Sequence, residues 1–155
     1  MELKKIAAAL AGVSLAAALA GPAAAADWKY NNWMPPKALE GQMLPKFADE
    51  IEKVTGGGLK MKVFSGGQLL DARATLGGIR DGVVDVGFIV PSINASDLPH
   101  VAMIPDLLPF ARDGFSAAAA ADETIMVNCP ECQGDFRKSN ALWLGGFGTT
   151  EWNLM

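Results

Sequence analysis

Two cysteines, Cys129 and Cys132, are the residues whose type and spacing most directly suggest chemistry. They are the only cysteines in the 155 residues, and they form a C-P-E-C motif whose proline suits the first turn of a helix. Such a pair is compatible with a structural disulfide, with unpaired thiols, with a redox-active pair or with half of a zinc site. The redox interpretation expects the motif directly after an early strand, whereas here it lies late in the chain and follows a predicted helix. A structural role is favoured, and a bond from one cysteine to a partner beyond residue 155 is a further alternative.

The single histidine, His100, lies in a proline-rich stretch, which favours an exposed or capping side chain over a catalytic base. A Ser-His-Asp triad would need this residue. The glycine clusters at 56–58 and 66–67 match neither the dinucleotide-binding fingerprint nor the P-loop, so turns are the simpler interpretation. The sequence therefore offers no clear catalytic set.

Residues 1–26 have the pattern of a cleavable export signal. Two lysines precede an uncharged, apolar stretch from Ile6 to Ala20, which is short for a membrane span. Gly21-Pro22 then breaks the helix, and alanines 24–26 supply the small residues of a signal-peptidase site. An uncleaved N-terminal anchor is the alternative. With cleavage, the mature chain begins at Asp27.

The mature chain is acidic, because removal of Glu2, Lys4 and Lys5 changes the net charge from −4 to −5. It has no cluster of basic residues of the kind that binds nucleic acid. No later segment approaches the roughly 18 uninterrupted apolar residues of a transmembrane helix. We therefore expect a mature protein that is not embedded in the membrane and that is long enough for one domain with a core.

Residues 28–90 alternate between strand and helix patterns. Residues 28–33 and 59–64 alternate as short strands, and residues 83–90 form an apolar run typical of a buried strand. Between them, residues 37–55 are an amphipathic helix, and a second helix follows Asp71, a plausible N-cap. This β-α-β-α-β order predicts a parallel sheet flanked by helices. The predicted buried stripes are Leu39, Met43, Phe47, Ile51 and Val54 on the first helix, and Ala72, Leu76, Ile79 and Val83 on the second.

The remaining residues predict a less regular second half. Residues 95–112 are loop-like, residues 113–128 favour a helix, and a short helix should run from Pro130 to about Asn140. Residues 141–144 are expected to form a fourth strand.

In parallel sheets, ligands bind outside the carboxyl ends of the strands. These ends fall at residues 33–35, 65–68 and 91–94, and they contain Trp33, Gln68 and Ser92. Trp33 and Trp152 each end a predicted strand, so their indoles are expected either in the core or against the apolar part of a ligand.

Four motifs between residues 47 and 87 carry a family resemblance. They are F-A-x-x-I/V-E at residues 47–52, T-G-G-x-L at 55–59, V-F-x-G-G-Q-L at 63–69 and I-R-D-G-x-x-D-x-G at 79–87. The stretch at residues 107–110 adds an L-P-F segment. Together they resemble the periplasmic solute-binding proteins of tripartite ATP-independent periplasmic (TRAP) transporters.

The resemblance implies a type II-like periplasmic-binding-protein fold, in which residues 27–148 belong to the first lobe of a clamshell and residues 149–155 begin the crossing to the second lobe. It implies capture of a small organic acid, delivery to membrane permease subunits driven by an ion gradient, and neither catalysis nor a cofactor. One alternative is an ABC-type solute-binding protein of similar fold. The other is a periplasmic thiol oxidoreductase that uses Cys129 and Cys132.

Departures from the family pattern bear on the ligand site. The K-G-x-K-I/L-R-like segment, which carries the family's carboxylate-binding arginine, is missing, so an N-terminal fragment that binds ligand poorly is expected. Arg73, close to Asp71 in the loop after the second strand, is a better candidate for the cleft rim than Arg112. Sialic-acid-binding members have an acidic residue at about Val90 and an arginine near residues 150–152, which argues against a sialic acid as the ligand.

Overall fold

The computed structural model describes residues 25–146, apart from the side chains of residues 108 and 109. The predicted export signal at residues 1–26 lies almost wholly outside this range, and the predicted hinge segment at residues 149–155 lies completely outside it. Within the described range the fold is α/β, with parallel strands in the order β2-β1-β3. The predicted β-α-β-α-β arrangement is therefore confirmed. The strands are β1 (Ala26–Asn32), β2 (Leu59–Ser65) and β3 (Val86–Gly87).

Strand β1 is the centre of the sheet, and it pairs with β2 along its whole length, from Ala26 opposite Leu59 to Asn32 opposite Ser65. Its pairing with β3 is much shorter and joins Tyr30 to Val86 and Asn31 to Gly87. All three strands therefore come together at the carboxyl end of β1.

The third strand is shorter than the strand predicted at residues 83–90. The first residues of the predicted strand instead complete the end of the preceding helix. The backbone N–H groups of Val83 and Val84 donate to the carbonyl of Gly78, at 2.8 and 3.3 Å. Val83 is half exposed, so its predicted place in a buried stripe is wrong. Asp85 then joins the sheet, since its carboxylate accepts the N–H of Lys29 at 2.8 Å.

Helix α1 (Leu39–Val54) lies where the sequence predicts it, but the predicted buried stripe is wrong. Leu39, Met43, Phe47 and Val54 are between 52% and 80% exposed, and only Ile51 of that stripe is half-buried. The buried residues of the helix are small ones on its other side, Gly41 and Ala48. A Cβ atom on Gly41 would lie only 2.6 Å from the carbonyl oxygen of Pro35, so glycine permits this close approach.

Helix α2 (Ala74–Arg80) has Arg73 as its N-cap residue, two positions after the predicted Asp71. The Asp71 carboxylate nevertheless caps the start of the helix, because it accepts the backbone N–H groups of Arg73 and Ala74 at 2.9 and 2.8 Å. The helix packs closely on β3, since a Cβ on Gly87 would lie 2.4 Å from Cγ2 of Thr75.

The second half of the described chain is helical but irregular. The stretch predicted as a loop contains three short 3₁₀ helices, at Pro91–Asn94, Val101–Met103 and Pro105–Phe110. Helix α3 (Gly114–Glu123) is capped by Asp113 and continues through a π-helical turn at Thr124–Asn128. Helix α4 (Pro130–Lys138) follows, as predicted.

The predicted fourth strand at residues 141–144 is wrong for the described part of the chain, where these residues are extended but join no ladder. Ala141 and Trp143 pack against the core, whereas Leu142 and Leu144 are 76% and 67% exposed. The side chains of residues 141–144 therefore alternate between core and solvent as in a strand, but no neighbouring strand pairs with them among residues 25–146.

The main core lies under α2 and the second half of the chain, away from α1. Its buried residues come from α2, the turn at Leu98, the 3₁₀ segment Val101–Met103, the π-turn and α4. They are Leu76, Leu98, Val101, Ile125, Cys132 and Phe136.

We predict that Gly41→Ala destabilises the fold, because the added Cβ meets backbone atoms that cannot rotate away. The expected loss is about 1–3 kcal/mol in the free energy of unfolding, measured by urea denaturation of residues 27–155. Gly134→Ala is the matched control, since nothing lies within 4 Å of the added atom in α4. Helix propensity should make that variant about 0.5–1 kcal/mol more stable. Equal effects of the two substitutions would show that α1 does not depend on this close approach.

Candidate functional site

The candidate site lies where the chain leaves the carboxyl ends of the three strands. The loops that follow β1 and β2 contact each other there, because the backbone N–H of Gly66 donates to the carbonyl of Met34 at 2.8 Å. This edge of the sheet is the place that the parallel topology predicts for a ligand.

Asn31 is fully buried near the carboxyl end of β1, and its side chain fixes the loop after β2. Its amide group donates to the carbonyl of Leu70 at 3.1 Å and to the hydroxyl of Thr75 at 2.9 Å, and its carbonyl accepts the N–H of Leu70 at 3.3 Å. Thr75 in turn donates to the carbonyl of Asp71 at 2.6 Å. One side chain thus joins the central strand, the β2–α2 loop and the first turn of α2.

Asn32, also fully buried, fixes the loop after its own strand. Its carbonyl accepts the N–H of Met34 at 3.1 Å, and its amide lies 3.5 Å from the hydroxyl of Ser65. Neither asparagine is among the residues that the sequence predicts for the site. The available signal was a pair of consecutive amide side chains at the end of a strand, since polar groups buried there need nearby backbone partners.

Trp33 follows directly and stacks on Phe88, with ring centroids 5.4 Å apart and planes 12° apart. Its indole N–H donates to the backbone carbonyl of Phe88 at 3.0 Å. Both residues are half-buried. The end of β1 and the segment after β3 therefore share a fixed pair of flat rings.

Val90 and Ser92 lie farther along the same segment. The carbonyl of Val90 accepts the N–H of Ile93 at 3.1 Å and the side-chain amide of buried Asn94 at 3.2 Å, which fixes the 3₁₀ turn. Val90 is half-buried and Ser92 is exposed.

Gln68, Asp71 and Arg73 are all exposed on the loop between β2 and α2. The carboxylate of Asp71 is occupied by the cap of α2. The guanidinium of Arg73, by contrast, makes no hydrogen bond or ion pair with another of the described residues. The positive charge of Arg73 is therefore the charged group of this loop that is available to a ligand.

The structure places these six predicted residues on the strand-end loops: Trp33, Gln68, Asp71, Arg73, Val90 and Ser92. The seventh, Trp152, lies outside the described residues.

His100 is not part of this edge, and it pairs with the buried carboxylate of Asp135 on α4. The backbone N–H of His100 donates to Oδ2 at 2.8 Å, and its ring Nδ1 lies 3.1 Å from Oδ1. Burial alone raises the pKa of Asp135, but these hydrogen bonds from His100 outweigh it and hold the pKa below its usual value. The pair fixes the segment between the core residues Leu98 and Val101.

Cys129 and Cys132 are joined by a disulfide at the start of α4. Cys132 is buried in the main core, and the sulfur of Cys129 accepts the N–H of Cys132 at 3.1 Å. Within residues 25–146, no group of three or more His, Cys, Asp or Glu side chains could hold a metal ion.

A parallel sheet of order β2-β1-β3 has a polar and aromatic cluster at its strand ends, which is the edge where α/β proteins of this topology bind ligands. The model of bacterial extracellular solute-binding protein family 7 (DctP) matches residues 30–137. The chain belongs to this family.

Solved structures of TRAP periplasmic solute-binding proteins have the same fold. A protein from Desulfovibrio salexigens, crystallised in an open form, is 24% identical over 74% of this chain and 34% of its own, with a TM-score of 0.63. A Bordetella pertussis extracytoplasmic solute receptor that binds pyroglutamic acid is 26% identical, over 74% of this chain and 36% of its own, with a TM-score of 0.57. A protein from Chromohalobacter salexigens with bound D-glucuronate is 20% identical, over 73% of this chain and 36% of its own, with a TM-score of 0.56.

This chain spans about a third of the length of these structures. A comparison with curated proteins gives no match. The predicted resemblance to the TRAP solute-binding family is confirmed by the family model and by the shared fold.

We predict that Asn31→Ala destabilises the protein by about 2–4 kcal/mol, because it removes the partner of the buried Thr75 hydroxyl and of both backbone groups of the half-buried Leu70. Denaturant unfolding measures the loss. Hydrogen exchange should also show the amide of Leu70 becoming less protected. The exposed Asn128→Ala should change neither quantity, and an Asn31→Ala variant as stable as the wild type would contradict the proposed role of the amide.

The Asp135–His100 pair predicts an acid-dependent loss of stability. Because the folded pKa of Asp135 lies below the ordinary value of 3.8, its stabilisation is present above that value and disappears as the pH falls through the folded pKa. Asp135→Asn should therefore be less stable than the wild type near neutral pH. The difference should shrink below about pH 4, when free energies of unfolding are compared across the acid range. A difference that stays constant with pH would contradict this assignment.

Proposed function

We propose that this chain is the periplasmic solute-binding subunit, or the first part of one, of a TRAP-type transporter. It would capture a small organic acid for import driven by an ion gradient. The match of the family 7 model over residues 30–137 carries the proposal, because it includes all three strand-end loops of the candidate site. The pyroglutamic acid bound by the Bordetella pertussis receptor supports a carboxylate as the ligand.

The strand-end residues suggest how an acid would be held. Arg73 is exposed and without a partner among the described residues, so its guanidinium is available for a carboxylate. Gln68 and Ser92 offer exposed polar groups, and Trp33 with Val90 offers apolar surface. The proposed ligand-binding residues also include Asp71 and Trp152. Asp71 orients the loop that carries Arg73, because it caps α2.

Closure of a second lobe over this edge would complete the site in a whole receptor, with residues 27–148 in the first lobe and residues 149–155 leading to the second. A ligand that contacts both lobes favours the closed state, which the permease subunits would then recognise. This two-state behaviour needs no catalytic group.

Export to the periplasm is proposed from residues 1–26, with cleavage after Ala26. The family is extracellular by its description. No helix within residues 25–146 is long and apolar enough to cross a membrane.

A binding role is favoured over the thiol oxidoreductase alternative. The disulfide places Cys132 inside the main core, where it packs with Phe136 and Ile125. We propose that the bond is structural and holds the junction between the π-turn and α4.

Arg73→Ala tests the proposed function in a polypeptide of residues 27–155. We expect pyroglutamate to bind in the millimolar range, since the chain supplies only part of a full-length site, and Arg73→Ala to weaken it about tenfold. Titrations monitored by ligand-observed NMR would measure both constants. Arg112→Ala is the matched control and should bind as the wild type does.

The neutral primary amide of the same acid should bind much more weakly, because it lacks the charge that Arg73 pairs. Equal binding of acid and amide, or equal effects of the two arginine substitutions, would contradict the proposed site. A micromolar dissociation constant would contradict the expectation that most ligand contacts lie outside residues 27–155.

A further inference from the structure

The two sides of the candidate site differ in chemistry. The ends of β1 and β3 present the stacked rings of Trp33 and Phe88 together with the half-buried Val90. The β2–α2 loop presents the exposed, polar side chains of Gln68 and Arg73. Asn31 ties this loop to β1 two residues before Trp33, through both backbone groups of Leu70, so both sides belong to one edge of the sheet.

Trp33 is half-buried and Phe88 covers one face of its ring, so a ligand can reach only the remaining exposed surface of the ring. Its only polar group, the indole N–H, is already hydrogen-bonded to the carbonyl of Phe88 at 3.0 Å. The stacking on Phe88 and this hydrogen bond together fix the ring plane. A rigid aromatic face gains most from a second flat, apolar surface laid against it.

The same ring face disfavours an anion. The face of an aromatic ring carries partial negative charge, so a carboxylate should lie away from Trp33. On the polar side, Asp71 is occupied by the helix cap, and the unpartnered charge is the guanidinium of Arg73. A ligand that satisfies both sides has a flat ring at one end and a carboxylate at the other.

We propose that the site selects monocarboxylic acids that carry a planar ring, with the ring stacked on Trp33 and the carboxylate directed to the side of Arg73. This inference rests on the proposed function, because it narrows the class of organic acid. It makes Trp33 a specificity-determining residue, whereas Arg73 serves all carboxylates alike.

Three acids of equal charge and similar size test the selection in residues 27–155: benzoate, cyclohexanecarboxylate and hexanoate. Their dissociation constants would be measured by ligand-observed NMR at millimolar concentrations. We expect benzoate to bind about 3- to 10-fold more tightly than the other two, because only its ring is planar and aromatic.

Two substitutions of Trp33 separate a flat contact from an apolar one. Trp33→Leu should remove the preference for benzoate, because benzoate loses its stacking surface and therefore more affinity than hexanoate, which keeps an apolar contact with leucine. Trp33→Phe keeps a flat ring and should retain most of the preference, although it loses the hydrogen bond to Phe88. Far-ultraviolet circular dichroism and thermal unfolding identify a variant that fails to fold, in which case the wild-type ranking and Trp33→Phe carry the test.

The outcomes distinguish this inference from the function on which it rests. Equal binding of the three acids by the wild type, or an equal loss of all three in folded Trp33→Leu, would overturn the selection for planar rings and leave the carboxylate site standing. Absence of binding by every acid would overturn both. A selective loss of benzoate in Trp33→Leu, together with a uniform loss of all three acids in Arg73→Ala, would establish the division of roles.

Discussion

The side-chain amide of Asn31 is the contact on which the candidate site depends. The backbone hydrogen bonds of a strand position only the strands beside it. Because β3 has only two residues, its backbone hydrogen bonds cannot position the loops at the strand ends. The Asn31 amide makes three hydrogen bonds that reach past the ladder to Leu70 and to Thr75 on α2. Because the side chains of Asn31 and Thr75 are fully buried, a polar group left unpaired there would cost about 1–3 kcal/mol.

Small residues set the other close contacts of the fold. Gly41 lets α1 approach the proline-rich segment before it, and Gly87 lets α2 approach β3. This arrangement leaves the large apolar side chains of α1 on its outer side, where Leu39, Met43, Phe47 and Val54 are more than half exposed. A helix that is apolar on two sides is unusual for a surface helix, which ordinarily has one apolar stripe.

Local patterns in the sequence were sufficient for the order of elements but not for their contacts. The periodicity of residues 37–55, the cap at Asp71 and the proline at position 130 each act within a few residues, and each predicted its helix. Which side of α1 is buried depends on the distance to the neighbouring backbone, which Gly41 determines and periodicity does not. The length of β3, and the lack of a ladder at residues 141–144 among the described residues, likewise depend on contacts between segments that are distant in sequence. The same reason explains why the sequence located Trp33 at a strand end while missing Asn31 and Asn32.

Consecutive residues at the end of β1 have separate tasks in the fold. Asn31 and Asn32 turn inward and hold the two neighbouring loops, whereas Trp33 is only half-buried and lies beyond the last ladder pair. The stacking of Trp33 on Phe88 uses none of the hydrogen bonds that the asparagines make. A change at position 33 would therefore remove the contact between β1 and the segment after β3 and leave the hydrogen bonds of the asparagines in place, whereas a change at position 31 would release the β2–α2 loop.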